Sequence, residues 1–204
     1  MAQGNRAGRS IRGHRVLRVF RARREYRMGR LVDPIPEAIA SIVQARTRII
    51  EKARSLSVEE TSFKPTPSVW CASEILEHVY ICELWVLAHI WSLAEAATLQ
   101  SEPTMEYANQ SDTFEAIIRP FGVQRFRAPA PLVPSGIGNA RFWVEALRAN
   151  QEIIDALPQL LLKANPQKIV FPHFVVGPLN AMQWLGFLPY HLDRHRVQIE
   201  RLRC

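Results

Sequence analysis

From Trp184 to Leu202 the chain sets Trp184, Leu188, His191, His195, Gln198 and Leu202 at steps of four, three, four, three and four. That spacing is one stripe of an α-helix, and a strand, whose side chains alternate with a period of two, cannot produce it. The opposite face carries Asp193, Arg194, Arg196, Glu200, Arg201 and Arg203, which suits water. A helix of this kind buries its stripe only against a partner layer. The stripe therefore demands a bundle, and it sends two imidazoles one turn apart into the interior.

Three further helical segments supply the partners. The first is expected over about 34–56, where Ile35, Ile39, Ile42, Ile49, Ala53 and Leu56 recur at helical steps and Pro34 and Pro36 suit a first turn. The second is expected from about Trp70, or from a cap at Ser73, to Leu99, with Glu74 and Glu77 favourable near its positive end. The third is expected over about 139–162, after the Pro- and Gly-bearing stretch "APAPLVPSGIG". The fourth, holding the opening stripe, is expected over about 178–202. Some forty residues separate the second and third helices and include a short helical stretch, "EAIIRPF". A link that long permits a crossover, so the bundle need not run simply up and down. No apolar–polar alternation predicts a strand. There is no internal repeat, no glycine-rich phosphate loop, and no Ser/His/Asp or Cys/His arrangement at recognisable spacing. The predicted class is all-α, a four-helix bundle.

Charge divides the chain. Residues 1–30 hold ten arginines and one acid, Glu25, whereas the remainder carries 16 Lys or Arg against 18 Asp or Glu. The net charge of +7 thus belongs to the first thirty residues. That segment has too little apolar surface to offset its ordering entropy, and reads as a disordered basic tail. It suits a basic arm for nucleic acid or acidic lipid, an Arg-rich transit peptide, or an over-long start with Met28 as the initiator. The folded domain is expected over 31–204. Being slightly acidic, it is expected to bind no specific nucleic acid. The apolar run "VYICELWVLAHIWSLA" (79–94) is interrupted by Glu83 and His89 and is shorter than the roughly 20 residues needed to span a bilayer, so it reads as a buried helix. Cys71, Cys82 and Cys204 have no metal-like spacing and suggest free thiols in a reducing, cytoplasmic setting.

The second helix has its own inward stripe, Cys71, Ile75, His78, Cys82, Trp85 and His89. His89 lies about 16 Å along the axis from His78 and cannot share a site with it. Buried neutral imidazoles need partners. Three of them converging at one layer, His78, His191 and His195, make either a polar core network or a three-nitrogen metal site with open positions. Zinc, nickel and iron all suit imidazole. Free imidazole protonates near pH 6.5, so metal binding is expected to weaken below that pH. Glu74 and Cys82, each one turn from His78, are the nearest candidates for a further chemical role. Helix dipole charge and core packing are their plainer readings.

Residues 34–203 resemble the DinB/YfiT-like superfamily of bacterial four-helix bundles. The stretches that carry the resemblance are "WCASEILEHVYICE" (70–83) and "FPHFVVGPLNAMQWLGFLPYHLDRHRVQIER" (171–201), with Trp70, His78, Pro172, His173, Gly177, Pro178, Trp184, His191 and His195 in the family's places. The resemblance implies a divalent metal on His78, His191 and His195. It also implies a metal-dependent transferase or isomerase that uses a low-molecular-weight thiol, such as bacillithiol or mycothiol, on a small-molecule substrate. A metal-dependent hydrolase and a non-catalytic metal-binding bundle are the alternatives. A homodimer is expected, with no membrane partner. Two features depart from the pattern, the Arg-rich tail and Pro189, which removes a backbone donor two residues before His191 and predicts a kink.

Overall fold

The computed structural model describes residues 34–99, 113–121 and 126–202. The basic segment 1–30, the domain start expected at 31 and Cys204 lie outside the described residues. Helix α1 spans Pro34–Arg54, α2 Val58–Ser62, α3 Ala72–Leu99, α4 Phe114–Ile118, α5 Ala140–Ala149 and α6 Gln151–Ala164. Strands β1 (Val170–His173) and β2 (Gly177–Asn180) follow, and then α7 (Ala181–Glu200). The helical class expected from the sequence holds.

The long helices form four rods in a ring. α7 packs on α1 and α3, and α5 and α6 pack on the other side of both. Consecutive rods α1 and α3 are therefore diagonal, as are α6 and α7. The expected crossover exists, but the long link between α3 and α5 joins neighbours. The diagonals are crossed by the connection through α2 and by the hairpin β1–β2. Ile42, Ile49, Ile75, Leu76, Leu87, Ile90, Leu147, Ile154, Leu157 and Leu161 fill the centre, all fully buried.

Local chemistry sets the helix ends. Pro34 sits in the first turn of α1, and Lys52 and Arg54 close it near the negative end of its dipole. α3 begins at Ala72 and not at Trp70. Ser73 does not cap it: Ser73 Oγ donates to the Thr61 carbonyl, and Glu74 Oε2 accepts from the Cys71 N–H at 2.9 Å. The helix expected over 139–162 is two helices. Asn150 breaks it, because its side chain donates to the buried Glu83 at 3.0 Å, and Gln151 opens α6 beside it. α7 starts at Ala181 behind a capping box in which Asn180 and Gln183 satisfy each other's backbone N–H groups. It then runs through Pro189 to Glu200 as one helix.

The hairpin corrects the expectation of no strand. Val170 pairs with Asn180, Phe171 with Leu179, Pro172 with Pro178 and His173 with Gly177. Strands of four residues with a proline in each leave no alternation to read. Gly177 adopts φ +81°, a backbone region that favours glycine, and this closes the turn.

α3 is long and apolar enough to cross a membrane by length and composition. Here Ile75, Leu76, Val79, Val86, Leu87, Ile90 and Ala94 are buried inside the bundle together with Glu77 and Glu83, the pattern of a core helix. Glu83 meets Arg46 of the diagonal α1 at 3.3 Å across the interior, and Arg46 also donates to the Leu147 carbonyl at 3.0 Å and to Gln151.

Candidate metal centre

α3 and α7 are neighbours, and their stripes bring His78, His191 and His195 together. One ligand atom from each lies within 4.8 Å of the other two. The ring centroids are 5.2 Å apart for His78 and His191, 4.8 Å for His78 and His195, and 4.4 Å for His191 and His195. All three are buried, at 5, 9 and 8% exposure. Aromatic rings flank the set, with Trp70 at 5.0 Å from His78 and Phe187 at 4.9 Å from His191.

Partners decide which nitrogen each ring offers. His78 Nδ1–H donates to the Leu132 carbonyl at 2.6 Å. His195 Nδ1–H donates to Gln198 Oε1 at 2.8 Å. In a neutral imidazole one nitrogen donates and the other accepts, so the lone pairs of His78 and His195 are on Nε2, and that of His195 accepts from His191 Nε2–H. His191 Nε2 lies 3.1 Å from His195 Nε2. Tetrahedral zinc with nitrogen ligands at about 2.0–2.1 Å needs nitrogens roughly 3.3 Å apart. One edge of the triangle already has that length, and the longest needs to close by about 1.5 Å on the same count. The donor set, its neutrality and its oriented Nε2 atoms fit a divalent cation.

Electrostatics favour the neutral rings. Burial pushes His78 below its usual range, against the opposing hydrogen bond to Leu132. Burial and then the neighbouring histidines push His191 well below. Burial, with His78 beside it, lowers His195 to about 3. Neutral imidazole is the form a metal requires.

The other sequence candidates lie elsewhere or are engaged. His89 is half-buried against Trp85 and stacked on Phe171 at 5.3 Å, with Nδ1–H donating to the Trp85 carbonyl, apart from the cluster. Glu74 is held by Lys64 at 2.6 Å and by the Cys71 N–H. Cys82 Sγ lies 3.7 and 3.6 Å from the two nitrogens of His78, nearly equidistant, so it is directed along neither. Cys82 is therefore buried beside the site, in contact with His78, and in the metal-free protein burial raises its thiol to about 12.

Sequence reasoning named three residues without giving them a part in the site. Gln198 lies on the inward stripe, three positions after His195, and that spacing was the available signal. Glu77 reads as a helix-dipole charge, yet its carboxylate is buried and binds the segment that carries Leu132. His173 belongs to the hairpin. Its Nδ1 accepts from the Val175 and Val176 N–H groups, and its buried Nε2 has no partner.

A family model described as the DinB superfamily matches residues 41–199. The uncharacterized protein YuaE of Bacillus subtilis (strain 168) is 22% identical over 165 residues, covering 78% of this chain and 93% of YuaE. No solved structure gives a significant match.

Proposed function

The chain belongs to the DinB superfamily, and on that premise we propose that it binds one divalent metal ion (zinc, nickel or iron) through His78, His191 and His195. We propose further that it is a metal-dependent transferase, moving a low-molecular-weight thiol onto a small electrophile. The observation that carries the reading is the convergence of three buried neutral imidazoles within 4.8 Å, two of them with Nδ1 already bonded. Bound there, a divalent cation supplies Lewis acidity that lowers the pKa of a thiol or water beside it.

A thiol supplied from outside the chain is compatible with these residues. Cys82 is held protonated by burial. Trp70 and Phe187 pack against the rings, and the burial of the histidines strengthens charge interactions in the site. We propose in addition a small-molecule substrate, a reducing cytoplasm in which Cys71 and Cys82 stay free thiols, and a homodimer.

One observation favours a second reading, a metal-binding bundle without turnover. Both carboxylates nearest His78 are engaged, Glu74 by Lys64 and Glu77 by Ser135 and Gly136, leaving neither free for proton transfer.

The test is metal per chain after repletion with zinc, nickel or iron and dialysis, followed by activity with several thiols. Wild type should hold one equivalent. His195→Ala should lose it with its helices intact, and His89→Ala should keep it. A wild type that retains no metal makes the histidines a polar core network and ends the enzyme reading. A metal-loaded protein inactive with every thiol tested leaves the second reading.

A further inference from the structure

We infer that Glu77 is a positioning residue for the histidine site, latching the segment 130–136 so that the Leu132 carbonyl fixes the tautomer of His78. The inference rests on the metal reading above for its consequence, but its geometry stands alone. Glu77 is 2% exposed. Its Oε1 accepts from the Ser135 N–H at 2.7 Å and from the Ser135 hydroxyl, and its Oε2 accepts from the Gly136 N–H at 3.0 Å. Three donors thus converge on one buried carboxylate. Gly136 adopts φ +75°, the left-handed region open to glycine, directly after these two successive N–H groups.

The latch and the ligand are adjacent in sequence and act on one piece of chain. Glu77 and His78 are consecutive in α3, so they point about 100° apart around its axis. Glu77 seizes Ser135 and Gly136, while His78 Nδ1–H reaches Leu132, three residues earlier. Leu132 ends a single 3₁₀ turn, Ala130–Leu132, closed by the Val133 N–H on the Ala130 carbonyl at 3.3 Å. Pro129, Pro131 and Pro134 stiffen the stretch by fixing φ, so little freedom separates the anchor from the carbonyl. With the carbonyl held, the His78 proton stays on Nδ1 and the Nε2 lone pair faces His191 and His195. An outer partner that fixes a ligand's tautomer typically contributes 10–100-fold to metal affinity.

A glutamine at this position would keep the shape and lose the function. Its amide offers one acceptor and two donors, so one of its ends would meet a backbone N–H donor to donor. The experiment uses full-length protein, apo and ¹⁵N-labelled. Long-range ¹H–¹⁵N imidazole spectra should show His78 as the Nδ1–H tautomer in wild type. Glu77→Gln should populate Nε2–H and weaken zinc(II) affinity, measured by chelator competition, by 10–100-fold. His89→Ala should match wild type. Glu77→Gln with an unchanged tautomer and affinity would overturn the inference. If circular dichroism shows that Glu77→Gln does not fold, Ser135→Ala is read by the same measurements. It should shift both in the same direction by less, and no shift overturns the inference equally. A wild type without zinc affinity defeats the metal reading, and the tautomer measurement still decides the latch.

Discussion

Lowering the pH separates the burial of the three histidines from their mere presence. At about pH 5 a free imidazole of pKa near 6.5 is about 97% protonated, so three unperturbed ligands would cost about 30-fold each, or roughly 3 × 10⁴ in apparent affinity. In this bundle burial holds His195 at about 3, His191 well below 6.5 and His78 lower than usual. His195 is then only about 1% protonated at pH 5. Zinc affinity should weaken by far less than that factor between pH 7 and pH 5, because less protonation competes. The onset near pH 6.5 expected from free imidazole moves down. The same shifts act on folding with the opposite consequence. These are bases with lowered folded pKa values, so the unfolded chain takes up protons below about pH 6.5 before the folded chain does. The stability from their neutrality is whole above that pH and falls as pH falls, reaching about 4 kcal/mol lost at pH 3 for His195 alone in the metal-free protein. Metal should therefore leave in one step with the fold. Chelator competition at about pH 7, 6 and 5, with near-UV circular dichroism on the same samples, measures both. A thousandfold loss of affinity by pH 5 with the tertiary signal intact would refute the reasoning.

Three other perturbations are informative. Arg46→Met leaves Glu83 buried and unpaired, and should cost about 3–5 kcal/mol in denaturant unfolding, whereas Arg46→Met with Glu83→Leu should recover most of it. Gln198→Leu removes the acceptor for His195 Nδ1–H and should weaken zinc binding by about 10-fold or more, with little change in helix content by circular dichroism. Cys71 and Cys82, buried with raised thiol pKa values, should resist iodoacetamide in the native protein and react once it is unfolded, as read by mass spectrometry of their peptides.

The fold was legible where one periodicity ran long enough. Trp184, Leu188, His191 and His195 are all buried, as their spacing requires. It was not legible where a distant side chain overrides local preference. Nothing around Asn150 announces a break, since the cause is Glu83, sixty-seven residues earlier. Glu83 itself looked like an interruption of an apolar run. It is buried because Arg46 and Asn150 meet it inside the ring of rods, an arrangement only the packing of α1, α3 and α5 creates. The hairpin was hidden for a different reason. Its register rests on two four-residue strands and the positive φ of Gly177, and neither generates a periodic signal.

The site divides along the same line. Helical spacing tells which imidazoles reach the interior, because a side chain's face follows from its position on the helix. It does not tell which nitrogen they present, because the partner of the other nitrogen decides that. For His195 the partner is Gln198, one turn away on the same stripe, so the orientation was within reach of the sequence. For His78 the partner is the carbonyl of Leu132, fifty-four residues on, in a link that carries no helical pattern. His173 makes the point from the opposite side. It stands in the family's hairpin motif, yet two backbone N–H groups occupy its Nδ1, so its proton sits on Nε2 among Phe114, Trp184 and Phe187. In that state it has no lone pair to give a cation or to take a proton. A histidine's place in a motif is therefore weaker information than the identity of its Nδ1 partner, and that partner separates His78 and His195 from His173.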